Sequence, residues 1–154
     1  VMAVQQPSRV DAPTACARLE QRDIPVFDET AVLELYTAQL RAGVTYRCLA
    51  SMARGNARPA LLRLAEEKQC EARRLAAAYF VMTGVKACVE RPKPPCVSCL
   101  NEALRQAYQE ERCAAALYRR YAERSEEYSC LLENMAKRAC ESAQSLLCVL
   151  QNTL

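Results

Sequence analysis

Two side chains that can bind metal ions stand three residues apart in the segment LAEEKQCEARRL, at Glu67 and Cys70. The segment has the composition of a helix, and residues three apart on a helix share one face. A carboxylate and a thiolate on one face would supply two ligands, and the thiolate favours soft metal ions. The pattern therefore predicts either a metal site with an unusual ligand or the remnant of a metal site.

The chain contains 10 cysteines and no histidine. The absence of imidazole excludes histidine-based catalytic triads, zinc sites and proton shuttles. With 154 residues, of which 51% are hydrophobic, the chain can build a core without disulfide bonds. The composition therefore favours reduced thiols and a cytoplasmic protein, while an exported, disulfide-bonded form stays open as the alternative.

The pair Cys96-Val-Ser-Cys99 is a second candidate for chemistry. It lies at the predicted start of a helix, where the helix dipole favours the thiolate form of cysteine. Cys96 and Cys99 are therefore candidate reactive thiols, with inert thiols at a helix start as the alternative. Four further cysteines are predicted to pack as small hydrophobic residues, namely Cys48, Cys113, Cys140 and Cys148.

Charge and hydropathy exclude two classes of partner. The formal net charge is +3, and the basic residues are scattered among glutamates without a basic stripe that carries aromatic residues. This pattern argues against a nucleic-acid partner. No apolar run approaches the roughly 18 residues that a membrane span needs, so no membrane partner is expected.

The spacing of apolar residues predicts four helices of about 25 residues each and leaves no room for a sheet. Residues 1–27, which contain Pro7, Pro13 and Pro25, are predicted to form an N-terminal arm, and residues 28–154 one all-α bundle. The first helix is predicted to begin at the N-cap Asp28 and to stop at Gly55. The second has Pro59 in its first turn and stops at Gly84. The third is predicted to start near Ser98, and Ser125 to cap the fourth.

The two halves of this bundle resemble each other. Aligning the first predicted helix with the third places Tyr46 on Tyr118 and Arg47 on Arg119, and aligning the second with the fourth places Leu75 on Leu146. A duplicated helix pair and coincidental helical periodicity are the two explanations. The connector between the halves, GVKACVERPKPPCVS, is rich in proline and long enough to run the length of a bundle. Each half is therefore predicted to be an antiparallel hairpin, and the order up-down-down-up follows.

A duplicated helix pair, a long crossover and a polar residue in each central stripe resemble the ferritin-like superfamily, especially its rubrerythrin-type members. In that family a glutamate from each of two helices joins a Glu-x-x-His motif from each of the other two around two irons. The resemblance covers about residues 30–150, with tyrosines spaced as in QLRAGVTY and EERCAAALY.

The resemblance implies six ligand positions in this sequence, which are Gln39, Glu67, Cys70, Glu111, Arg138 and Glu141. Only Glu67 and Glu111 keep the glutamate of the family. Arg138 would repel a metal ion, and its guanidinium could instead neutralise neighbouring carboxylates. The alternative is that Arg138 and Glu141 are ordinary charges on the solvent face. A slip of three residues in the fourth helix would instead align Glu141 and Gln144 with the motif. The resemblance therefore implies a bundle without a working di-iron centre and without a cofactor.

The sequence favours a non-enzymatic binding or assembly module whose partner is another protein or a second copy of the chain. One alternative is a thiol-based redox or metal-handling protein that uses Cys96, Cys99 and Cys70. A second alternative is an unconventional metal site, built from Glu67, Cys70, Glu111 and Glu141.

Overall fold

A computed structural model describes residues 26–154 of the chain. The predicted N-terminal arm, apart from its last two residues, lies outside this range. The described residues form four helices and no strand, which confirms the prediction of an all-α four-helix bundle. The helices are α1 (Glu29–Met52), α2 (Ala57–Thr83), α3 (Leu100–Arg124) and α4 (Ser129–Thr153).

Local sequence signals explain several helix ends. The side chain of Asp28 caps α1 by accepting a hydrogen bond from the backbone N–H of Ala31 at 2.9 Å. Pro59 lies in the first turn of α2, where its missing N–H costs no hydrogen bond. Gly84 ends α2 with a φ of +70°, a conformation that favours glycine. Each of these three signals is confirmed.

The predicted cap at Ser125 is wrong. This serine ends α3, where its backbone N–H donates to the carbonyl of Ala122, and its hydroxyl accepts from the N–H of Tyr128 at 3.2 Å. The next helix, α4, begins at Ser129. A serine side chain bonds to a nearby backbone in turns as well as at helix starts, so the residue type alone does not distinguish the two.

The core consists of two apolar clusters, one toward each end of the bundle. The first joins the starts of α1 and α4 to the ends of α2 and α3, with Val32, Leu75, Tyr121 and Leu132 as representatives. The second joins the ends of α1 and α4 to the starts of α2 and α3, with Leu49, Leu61, Leu104 and Leu146 as representatives. The helices therefore run up, down, down and up, as the sequence predicts.

The segment between α2 and α3 crosses the bundle from one end to the other. It leaves α2 at Gly84, and its far part reaches the end of α1, where the thiol of Cys48 lies 3.8 Å from the carbonyl oxygen of Pro95. At that same end the side chain of Asn101 donates to the carbonyl of Thr153 at 3.3 Å, joining the start of α3 to the end of α4. None of the helices between residues 26 and 154 combines the length and apolar character that crossing a membrane requires.

Candidate functional site

A layer of polar side chains separates the two apolar clusters. Its members are almost completely buried and come from all four helices: Gln39, Lys68, Glu71, Glu111 and Ser142. Burying ionised groups is unfavourable unless they are paired and hydrogen-bonded. The partners of these groups therefore decide what the layer can do.

The ammonium of Lys68 is paired with the carboxylate of Glu111 across α2 and α3. Its Nζ lies 2.7 Å from Oε1 and 2.8 Å from Oε2, so it contacts both carboxylate oxygens. The two side chains are only 7% and 5% exposed. The hydroxyl of Tyr46 on α1 donates a further hydrogen bond to Oε1 at 2.6 Å. The carboxylate of Glu111 is thus surrounded by donors that the protein itself supplies.

The second buried carboxylate, Glu71, is paired with two arginines. Arg138 of α4 contacts it through Nε, and its Nη2 lies 3.4 Å from Oε2. Arg74, one turn further along α2, places Nη1 2.7 Å from Oε1. The side chains of Arg138 and Arg74 are 32% and 47% exposed, whereas that of Glu71 is 6% exposed. Glu71 and its two arginines therefore lie at the edge of the layer, and the arginine side chains extend inward from the surface.

Two tyrosine contacts between α1 and α3 lie at positions that the alignment of the two halves makes equivalent. The hydroxyl of Tyr46 on α1 donates to Glu111 of α3, whereas the hydroxyl of Tyr118 on α3 accepts a hydrogen bond from Nε2 of Gln39 on α1. The alignment of α1 with α3 that places Tyr46 on Tyr118 also places Gln39 on Glu111. The second contact therefore has glutamine in place of glutamate, and the tyrosine accepts the hydrogen bond instead of donating it. Gln39 Oε1 is buried without a hydrogen-bond partner among residues 26–154.

Tyr46 and Tyr118, whose hydroxyls bond to residues of the layer, are both held in their neutral form. Burial raises the pKa of Tyr46 well above its usual value, and the neighbouring Glu111 carboxylate raises it further. Burial also raises the pKa of Tyr118, with Glu111 and Glu71 adding to the shift. Since a neutral phenol keeps its proton, Tyr46 remains a donor to Glu111 through the neutral pH range.

Three of the six predicted ligand positions do not lie in this layer. Glu67, Cys70 and Glu141 are exposed. Glu67 lies near Glu141 and the edge of the layer, where partial burial raises the pKa of its carboxyl. The thiol of Cys70 instead accepts a hydrogen bond from Arg73 at 3.4 Å on the outside of α2. Gln39 and Glu111 are buried as predicted, and Arg138 lies between interior and surface.

The polar pair that α2 contributes is Lys68 and Glu71, one residue beyond the predicted Glu67 and Cys70. The sequence carries a signal for it, because the buried stripe of α2 repeats at alternating spacings of three and four residues through Leu61, Leu64, Lys68, Glu71, Leu75 and Ala78. The chemistry of metal ligands favours Glu67 and Cys70. The apolar residues on either side instead show that Lys68 and Glu71 are on the inward face of α2.

The predicted thiol constellation is not assembled. Cys96 and Cys99 lie at the end of the bundle where α2 begins, whereas Cys70 lies near the middle of α2, about 20 Å along its axis. Two of the cysteines predicted to pack as small hydrophobic residues do not: Cys113 is disulfide-bonded, and Cys148 is exposed. Within residues 26–154 no three cysteine, aspartate or glutamate side chains are grouped closely enough to hold a metal ion.

Comparison with known proteins gives no relative from which a function could be transferred. No model of a protein family matches the sequence, and no curated protein or solved structure is significantly similar to it.

Proposed function

We propose that the chain is a non-enzymatic binding or assembly module, built on a ferritin-like bundle whose centre is closed by the protein's own cations. The observation that carries the proposal is the bidentate contact of Lys68 with Glu111 in the middle of the bundle. Arg138 and Arg74 complete the arrangement on Glu71. The charges of the two buried carboxylates are thus balanced by ammonium and guanidinium groups.

The residues of the layer do not fit two irons. Such a centre needs several anionic oxygen ligands together with imidazole, and this chain has no histidine. Both oxygens of Glu111 are engaged by Lys68, and Gln39 is a neutral amide. An ammonium at the centre of the layer would also repel an incoming cation. These features together argue against a di-iron reaction at the layer.

The surface supports a role in association. Three large apolar side chains are exposed within six residues at the end of α2 and just beyond it, with Phe80 57%, Val81 71% and Val85 59% exposed. Exposed apolar side chains that cluster mark association surfaces more often than isolated ones do. By contrast, Leu62 is 43% exposed near the start of α2, at the opposite end of that helix, and supplies a matched control.

Iron binding tests the non-enzymatic part of the proposal. After anaerobic incubation with Fe(II) and gel filtration, we expect less than one iron per chain, because Lys68 occupies the carboxylate that would bind it. The variant Glu111→Gln should carry the same residual iron, since that iron is bound at the surface. Stoichiometric iron that disappears in Glu111→Gln, with an oxo-bridge absorption band after exposure to air, would refute the proposal.

Self-association tests the assembly part. Sedimentation velocity over a hundredfold range of concentration should show the apparent mass of the wild-type chain rising toward that of two chains. Val81→Glu should remain a monomer, because it places a charge within the exposed apolar residues of α2. The control Leu62→Glu should behave like the wild-type chain. A wild-type chain that stays monomeric throughout would show that the apolar end of α2 does not mediate assembly between copies.

A further inference from the structure

The free thiol of Cys48 lies close to the backbone that carries Cys96, at the end of the bundle where α1 finishes. Cys48 lies near the end of α1, is half-buried, and places Sγ 3.8 Å from the carbonyl oxygen of Pro95. The residue after Pro95 is Cys96, which is exposed. No sequence pattern pairs these two cysteines, because one lies in α1 and the other in the crossover segment, 48 residues apart along the chain.

Covalent geometry bounds the distance between them. A carbonyl oxygen lies about 2.8 Å from the Cα atom of the next residue, so the sulfur of Cys48 lies within about 6.6 Å of the Cα atom of Cys96. In a disulfide this distance is roughly 4 Å, given an S–S bond of about 2.05 Å. A movement of the crossover by about 2–3 Å would therefore bring the two sulfurs into bonding distance.

The backbone around Cys96 is less constrained by hydrogen bonds than that of Cys99. Residues 85–97 have no helix or strand to hold them. Cys99 is the N-cap residue of α3, and its carbonyl accepts a hydrogen bond from the N–H of Ala103 at 3.1 Å. Moving Cys99 toward α1 would break the first turn of α3.

We propose that Cys48 and Cys96 form a redox-sensitive thiol pair, which closes to a disulfide by exchange with a small-molecule disulfide such as oxidised glutathione. The closed form ties the crossover to α1. The pair is independent of the buried polar layer and of the association surface on α2. It also differs from the predicted C-x-x-C pair, because the partner of Cys96 is in α1 and not at the start of α3.

The exchange needs two steps. The thiolate of the exposed Cys96 attacks one sulfur of oxidised glutathione, breaking its S–S bond and releasing one glutathione thiolate, which takes up a proton. The thiolate of Cys48 then attacks the sulfur of Cys96 and expels the second glutathione thiolate, which is protonated in turn. Two protein thiols lose two electrons and two protons, and one oxidised glutathione becomes two reduced molecules.

Redox titration with peptide mapping tests the pair. The full chain is equilibrated in glutathione buffers of graded oxidised-to-reduced ratio, its free thiols are alkylated, and unreduced peptides are analysed by mass spectrometry. We expect a peptide that links Cys48 to Cys96. In the native chain it should be half-formed at an oxidised-to-reduced glutathione ratio at least about tenfold lower than in concentrated urea, since only the native fold holds the two thiols together.

Variants distinguish this pair from its competitors. Cys48→Ser and Cys96→Ser should each abolish the linked peptide, while Cys130→Ser, at the opposite end of the bundle, should leave its titration unchanged. A native chain in which Cys96 is linked mainly to Cys99 would overturn the proposal. So would a Cys48 that stays fully alkylated at ratios that convert exposed Cys130 to its mixed disulfide with glutathione.

Discussion

Replacement of Lys68 by methionine is expected to lower the free energy of unfolding by about 3–5 kcal/mol. Methionine keeps much of the length and apolar stem of lysine but removes the charge that contacts both oxygens of Glu111. The carboxylate would then retain only the hydroxyl of Tyr46 as a donor while remaining almost completely buried. An unpaired buried charge is far more costly than the net stability that the ion pair contributes.

A second substitution separates loss of charge pairing from loss of packing. In the double variant Lys68→Met/Glu111→Gln the buried charge is gone, and the amide oxygen of glutamine can still accept the hydrogen bond of Tyr46. We expect this variant to regain stability to within about 2 kcal/mol of the wild-type chain, because replacing both members of a buried pair is often close to neutral. The exposed Lys137 supplies the control, and Lys137→Met should change stability by less than about 0.5 kcal/mol.

Urea unfolding followed by circular dichroism gives all four free energies by linear extrapolation. A loss below about 1 kcal/mol for Lys68→Met would mean that Glu111 is solvated or protonated in the native chain. A double variant as unstable as the single one would mean that the lysine acts through packing. Either outcome would remove the physical basis for a centre closed by the protein's own cations.

The fold was predictable because its signals are redundant. The inward stripe of α4 follows from the sequence alone, since Leu132, Met135 and Leu146 recur at helical spacing and all three are buried. The topology followed from the length of one connector, whatever its path. The helix ends carry weaker sequence signals. Asp28 caps α1 as predicted, whereas a serine such as Ser125 can bond to the backbone in a turn as well as at a helix start, and here it does so in a turn.

The candidate site was predictable only in part, because two different criteria conflict in α2. Ligand chemistry selects Glu67 and Cys70, while periodicity selects Lys68 and Glu71, and a difference of one residue rotates a side chain by about 100° around the helix. At Gln39 and Glu111 the positions implied by the family resemblance coincide with the inward faces of α1 and α3, so both are predicted correctly. The approach of Cys48 to the crossover was beyond the sequence, since it depends on how an irregular segment lies on the bundle.

The second large effect is expected when Glu71 loses both of its arginines. Arg138→Ala alone should cost only about 1–2 kcal/mol, because Arg74 keeps its contact with Oε1 at 2.7 Å and because the Arg138 side chain is 32% exposed. Arg74→Ala alone should cost less, since its side chain is 47% exposed. Either cation can therefore partly replace the other.

The double variant Arg74→Ala/Arg138→Ala should lose about 3–5 kcal/mol, more than the sum of the two single losses, because it leaves the buried carboxylate without a cation. Arg73→Ala is the matched control, since Arg73 is an exposed neighbour on α2 whose guanidinium donates to the thiol of Cys70 rather than to Glu71. It should change stability by less than about 0.5 kcal/mol.

The double-mutant cycle shows whether Arg138 acts through the buried Glu71 or as a charge on the solvent face. Free energies from urea unfolding that add within about 0.5 kcal/mol would show that the two arginines act independently, as solvent-facing charges do. A coupling of about 1–3 kcal/mol would show that they share one buried carboxylate. Adding Glu71→Gln to the double variant should then restore most of the loss, because the arginines stabilise the bundle only through the charge they neutralise.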